Sequence, residues 1–279
     1  MKVALLQDFF SNEIIGGAEK NDAVLLNSLK QSGINIDSIH TYKIDNIIEQ
    51  YDFYIVSNFI RLSEYSKKYL IQKKNYIIYE HDHKYVLNRN PGAFKNFEIP
   101  NKMITNREFY NSAKKTFVLS NICKQVIEKN LNINNVHNIA CSLWSKENLD
   151  TIRQINNASD KVNKYGILDS TNSIKGTSVA LNFCAQKGIR QPYRVCSADY
   201  TEFITKLSSC ENFIFFPQVL ETYSRVCAEA KMLNCKLLTT PRLIGFFSEE
   251  YSSMSGDLLN DKISKNIDNA ILSFKEAIG

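Results

Sequence analysis

The chain has 279 residues, 44% of them hydrophobic and 23% charged, with a formal net charge of +5. That balance is ordinary for a soluble globular protein with room for one large or two small domains, and no uninterrupted apolar stretch approaches the roughly 20 residues of a membrane-spanning helix. The modest positive charge suits an anionic small molecule, a nucleic acid or an anionic membrane surface equally, and so selects no partner.

The first apolar run, 3–6, stops at Gln7 and Asp8. It is too brief for the apolar region of a signal peptide, and the expected location is the cytoplasm. Further short apolar runs at 34–39, 53–56, 76–79 and 116–119 alternate with amphipathic stretches at 17–31, 44–50, 62–73 and 121–129. This alternation of strand and helix periods predicts βαβ units. The rhythm resumes with strands at 165–168, 193–196, 213–216 and 236–239 and helices at 175–187, 199–209, 221–233 and 262–277, which predicts a second doubly wound unit.

Between the two lies the polar stretch 142–163, where the crossing between domains is expected, giving domains 1–145 and 146–279. The seven cysteines form no C-x-x-C pair, sit mostly among apolar neighbours, and are expected as reduced core residues. In α/β units the ligand crevice lies outside the carboxyl ends of the strands, so chemistry is expected just after them.

After the run 213–216 comes Pro217-Gln-Val-Leu-Glu221-Thr-Tyr-Ser-Arg225-Val-Cys-Ala-Glu229-Ala. Apolar spacing at Tyr223, Val226, Cys227, Ala230 and Leu233 predicts a helix entered at Glu221, which would carry Glu229 about 12 Å further along the axis. Its first amides, from Tyr223, Ser224 and Arg225, would face a diphosphate together with the positive end of the helix dipole, and Arg225 could add a charge-assisted contact. Alone, two such glutamates read as a dipole complement and a solvated charge.

The stretch resembles the E-x7-E signature of glycosyltransferase family 4, matched in order by Pro217, Glu221, Tyr223, Ser224, Arg225, Val226, Glu229 and Ala230. The resemblance implies a GT-B fold, α/β with two Rossmann-like doubly wound domains facing a central cleft, in an unusually short member. It assigns Glu221 to hydroxyls of the donor sugar, Glu229 to the ribose, and the amides of Ser224 and Arg225 to the phosphates. Gly166-Ile-Leu-Asp-Ser-Thr-Asn-Ser-Ile-Lys175-Gly176 is similar to the family's G-R…K-G turn, whose lysine, here Lys175, contacts the diphosphate. Ile167 stands where the arginine is usual, so Arg225 or Arg242 would have to supply the second cation.

Gly16-Gly17-Ala18-Glu19 is similar to the family's G-G-A-E turn, where glycines let the backbone approach the donor phosphate; by themselves two glycines before a helix are turn punctuation. The run 76–79 leads into Glu80-His81-Asp82-His83-Lys84-Tyr85. Three accounts of this cluster stand: a metal site from His81, Asp82 and His83, a general acid or base, or a hydrogen-bonded loop without chemistry. Metal is the weakest, because His40 and His137 lie in other segments. Family members carry a histidine at this strand end near the donor sugar, and His81 matches it best. Arg89, Lys102 and Arg107 make the following region basic, to receive an anionic acceptor or simply to be solvated.

The resemblance implies a retaining, metal-independent, hexosyltransferase-like enzyme without cofactor. It would move sugar from a nucleotide diphosphate sugar to a hydroxyl of a glycan, a lipid or a modified nucleic-acid base, with catalytic roles on His81 and Glu221. Such an enzyme works by positioning and by stabilising the leaving diphosphate, here through Lys175, Arg225 and amides. The small size and the basic stretch 84–107 would also fit an enzyme glycosylating modified DNA bases. Ile167 motivates the alternative, a non-catalytic sugar-nucleotide-binding or interaction protein of the same fold. The helix 262–277 is expected to cross back onto the first domain, and the oligomeric state is left open.

Overall fold

The computed structural model describes residues 1–14 and 16–279. Two compact units emerge: unit 1 comprises Met1–Leu143 and Asn266–Gly279, unit 2 Trp144–Lys265. In unit 1, β1 (Val3–Gln7), α1 (Gly17–Gln31), β2 (Ile36–His40), β3 (Phe53–Val56), α2 (Glu64–Lys73), β4 (Tyr76–Tyr79), α3 (Arg107–Ser112), β5 (Thr116–Val118), α4 (Asn121–Leu131) and β6 (Val136–Asn138) follow one another. The strands form one parallel sheet in the order β2-β1-β3-β4-β5-β6. β1, β3 and β4 are buried along their whole length, as continuous apolar strands of a parallel sheet must be.

Unit 2 comprises α5 (Lys146–Ala158), β7 (Asn163–Leu168), α6 (Thr177–Gln186), β8 (Tyr193–Val195), α7 (Tyr200–Ser208), β9 (Cys210–Phe215), α8 (Arg225–Met232) and β10 (Lys236–Thr239). Its parallel sheet has the order β10-β9-β7-β8. α9 (Gly256–Ile278) starts in unit 2 and ends in unit 1. Its early part belongs to the unit 2 core, with Asn260 Nδ2 donating to Leu149 O (3.0 Å). Its late part belongs to unit 1, where Phe274 packs on Tyr79 and Phe117.

Two expectations need correction, over 44–50 and over 221–233, and the stretch 142–163 carries an element of its own. Residues 44–50 form no α-helix: single 3₁₀ turns occupy Thr41–Lys43 and Ile48–Gln50, because seven residues including three isoleucines cannot sustain a helix without tertiary help, and the buried Ile44 and Ile48 serve the core from turns instead. The polar stretch 142–163 is largely α5. Ser145 caps it by accepting from Asn148 N (3.2 Å), and a narrow stripe of Leu149 and Ile152 is enough to dock an otherwise polar helix. The helix expected over 221–233 begins only at Arg225. Among the cysteines, Cys196 is exposed and the other six are buried; all are free. Among the described residues no helix is long and apolar enough to cross a membrane.

Candidate functional site

The strand order of each sheet reverses beside its first strand, between β1 and β3 in unit 1 and between β7 and β9 in unit 2. At such a switch point the loops leaving adjacent strands diverge to opposite faces and open a crevice at the carboxyl ends.

In unit 2 the two loops that meet there are 169–176 and 216–224. Thr177 Oγ1 donates to Leu168 O (2.9 Å) and accepts from Ser170 N (3.0 Å), which closes the first loop onto α6. A 3₁₀ turn, Ser173–Lys175, ends at Gly176, whose φ of +69° lies in the left-handed region. Gln218 N donates to Ile174 O (2.8 Å) and fastens the second loop to the first. A Cβ at Gly176 would lie 1.9 Å from Phe216 O, so this glycine is required by both conformation and space. Gly176→Ala is expected to destabilise the protein by more than about 1 kcal/mol, read by chemical denaturation; unchanged stability would refute the packing described here.

This fastening brings Lys175 Nζ to 2.8 Å from Glu221 Oε1, with side chains 34% and 13% exposed. Glu221 does not stand at a helix entrance. It extends along 243–246, with Glu221 N donating to Leu243 O, Gly245 N to Glu221 O and Phe246 N to Tyr223 O, each at 2.9 Å. The chain then turns at Ser224 (φ 72°, ψ 88°), a left-handed residue that caps α8 and costs on the order of 1 kcal/mol of backbone strain. The Ser224 hydroxyl, beside the Cys227 thiol, is buried and meets no oxygen or nitrogen partner among the described residues. Burial pushes that thiol up to about 12, the hydroxyl pulling the other way. The helix-start amides therefore come from Arg225 onward, and Glu221 is not set about 12 Å from Glu229 along a helix axis, since no helix joins the two.

Tyr223 is a core residue: its ring packs edge-on against Trp144 and Phe246, and its hydroxyl lies 2.8 Å from that of Tyr251. Glu229 is 3% exposed, and its Oε1 accepts from Trp144 Nε1 and Tyr200 OH, both at 2.9 Å. The Arg225 guanidinium lies over the Trp144 ring (4.3 Å), 3.8 Å from the same oxygen. Burial, and then the Glu229 carboxylate, raise the Tyr200 hydroxyl well above its ordinary value, keeping it a donor. Ile167 is fully buried in β7, against Ala180, Cys184 and Ile214.

In unit 1 buried polar groups crowd the carboxyl edge of the sheet. Gly16 caps α1, whose first residue is Gly17, and the Glu19 carboxylate folds back over Gly16, in space that a Cβ there would occupy. Burial raises the Glu19 carboxyl above its ordinary value. His81, following β4, has Nε2 3.1 Å from Asp22 Oδ1, and its ring meets Tyr79 edge-on. His83, at φ 60°, is turned inward with Nδ1 3.1 Å from Tyr85 OH. The two histidines thus serve different surroundings, and among the described residues no group of three or more His, Cys, Asp or Glu side chains is arranged to hold a metal ion.

Asp82 pairs with the buried Lys84 and with Arg89 (2.9 Å), while Lys84 also reaches Glu80 (3.0 Å), which accepts from Tyr110 OH. Burial alone would raise both carboxyls, but Lys84 holds them below their ordinary values. Arg107 donates to Leu131 O and Asn130 O, so two of the three basic residues expected to face an acceptor are engaged internally. Sequence reasoning missed a different cation. Asp8, buried after β1, accepts from Ile60 N (2.8 Å) and Arg61 N (3.1 Å) and from Thr41 Oγ1, which laces three loops together. Phe10, His40 and Tyr42 stack there, and the exposed Arg61 guanidinium lies 5.1 Å from the Phe9 and Tyr42 rings without an ion pair among the described residues. An exposed guanidinium so held can receive an anionic group.

Each unit is a parallel α/β sheet of the Rossmann-like kind, and the chain is similar in fold to solved GT-B structures. HepE of Anabaena, solved with UDP and glucose, matches with a TM-score of 0.57 at 11% identity over 99% of this chain and 100% of its own. An alpha-glucosyltransferase, solved with UDP and a 13-mer DNA containing a HMU base, matches with a TM-score of 0.51 at 10% identity over 97% of this chain and 95% of its own. At such identities the likeness is one of fold. No protein-family model matches the chain, and no curated protein is significantly similar in sequence.

Proposed function

We propose that this protein is a retaining, metal-independent glycosyltransferase whose donor is a uridine diphosphate sugar. The observation that carries the reading is the ion pair between Lys175 and Glu221, 46 positions apart, at the switch point of the unit 2 sheet. A cation from the first loop, a carboxylate from the second and the start of α8 are the three elements to which the family resemblance assigns the diphosphate and the sugar hydroxyls, and a neighbour solved with UDP-glucose supports the choice of donor.

On this reading Lys175 exchanges Glu221 for a diphosphate oxygen when the donor binds, and Glu221 turns to the sugar hydroxyls. Arg225 and the amides from Arg225 onward stabilise the leaving diphosphate, which takes the acceptor proton. Glu229 meets the ribose through Oε2, its Oε1 being engaged by Trp144 and Tyr200. Gly16, Gly17 and His81 keep the roles near donor phosphate and sugar that the resemblance implies. The acceptor is a hydroxyl compound carrying an anionic group, a description that includes nucleic acid; Arg61 suits such a group better than Arg89, which is paired with Asp82. Free buried cysteines fit a cytoplasmic enzyme.

Binding is tested with UDP and UDP-glucose by thermal shift and calorimetry. Donor at 100 times its dissociation constant is expected to stabilise the protein by about 2.7 kcal/mol. No shift with any nucleotide diphosphate or its sugars would overturn the proposal. Binding without nucleotide release, whatever the acceptor, would instead establish the non-catalytic alternative.

A further inference from the structure

We propose that Asp22 is a positioning residue for His81, orienting the imidazole with its proton on Nε2 at the carboxyl edge of the unit 1 sheet. Asp22 lies on α1 and is fully buried, an environment that a carboxylate tolerates only with hydrogen-bond donors around it. Two donors are in place. Ser57, fully buried just after β3, presents its hydroxyl to both oxygens at 2.6 and 2.7 Å, and His81 Nε2 stands 3.1 Å from Oδ1.

Ser57 has one hydroxyl hydrogen to give and is itself anchored by its amide, which donates to Leu6 O (2.9 Å). A carboxylate can only accept, so the hydrogen between Asp22 and His81 belongs to Nε2, and in the neutral ring Nδ1 is an acceptor. The Tyr79 ring, 4.1 Å away and itself packed against Phe274, meets the imidazole edge-on and covers one side of it. Three elements, α1, the end of β3 and the end of β4, thus converge on one side chain. A carboxylate that orients an imidazole and selects its tautomer lets the ring accept a hydrogen bond from a hydroxyl without first reorganising. Only the identity of what His81 meets, a donor or acceptor hydroxyl, rests on the transferase reading.

The test uses the full chain labelled with 15N-histidine. It has four histidines, so His81 is assigned by the signals lost in His81→Gln. At a pH where the ring is neutral, the wild type is expected to show a single tautomer with a protonated Nε2, and Asp22→Asn to mix tautomers. Ser57→Ala, a milder change, is expected to alter the His81 signals while the fold, judged by the other three histidines, is kept. A protonated Nδ1 in the wild type, or signals unmoved by Asp22→Asn, would overturn the inference. In the nucleotide-release assay Asp22→Asn is expected to lower kcat about 100-fold while KM for the donor changes less than about 3-fold. Moved signals with unchanged kcat would overturn the catalytic consequence. Failure of the transferase reading shows separately, as absence of release from the wild type.

Discussion

Lys175→Ala is expected to lower sugar-nucleotide turnover about 100-fold while leaving folding stability nearly intact. The two readouts separate two accounts of the same ion pair. If Lys175 served only to pair with Glu221, the loss would be that of a partly exposed salt bridge, about 0–1 kcal/mol of stability, and nucleotide release would not change. In the proposed site the lysine neutralises charge that develops on the departing diphosphate, so its removal acts on the transition state and shows in kcat. Glu221→Gln is expected to weaken turnover by a comparable factor through lost sugar contacts. Release at wild-type rate from both variants would show that the donor site lies elsewhere.

Lys84→Met is expected to destabilise the protein by about 3–5 kcal/mol, because it strips the cation from a carboxylate that cannot reach water. Lys84 and Glu80 are each 1% exposed. Thermal unfolding should show a loss on the order of 10 °C at neutral pH. Acidification reverses sign between the two proteins. In the wild type Glu80 and Asp82 sit below their ordinary values of 4.5 and 3.8, so their contribution is present above those values and is lost as pH falls through the lower folded ones. In the variant, desolvation without a partner raises Glu80, and lowering the pH toward 4 should recover part of the loss. Glu80→Gln in the Lys84→Met background removes the charge yet keeps an acceptor for Tyr110, and should restore most of the stability. A Lys84→Met variant as stable as the wild type at pH 7 would refute this account.

Much of the architecture was legible in the chain itself. Strands such as 53–56 and 76–79 declare themselves because a strand buried on both faces must be continuously apolar, and α1 because its period and flanking glycines agree. Helix α5 was hidden because its apolar stripe is two residues wide, and β6 because a three-residue strand with an exposed His137 has no period to read. The Glu221 to Arg225 stretch was misread for a different reason. Apolar spacing continues through Tyr223 whether it belongs to a helix or to an extended segment, and the hydrogen bonds that decide, to residues 243–246, come from another part of the chain.

What the amino-acid sequence determined by itself was the alternation of elements and the positions just after strands where Lys175, Glu221 and His81 stand. Tertiary structure alone decided the company those residues keep: Glu221 beside Lys175, Asp22 and Ser57 beside His81, Lys84 between two carboxylates, Arg61 across two aromatic rings. The division has a physical cause. Strand and helix periods are local and leave a mark within a few residues, whereas pairing of charges and hydrogen bonds depends on which loops a parallel sheet brings to one edge, and crossover connections place those loops tens of residues apart.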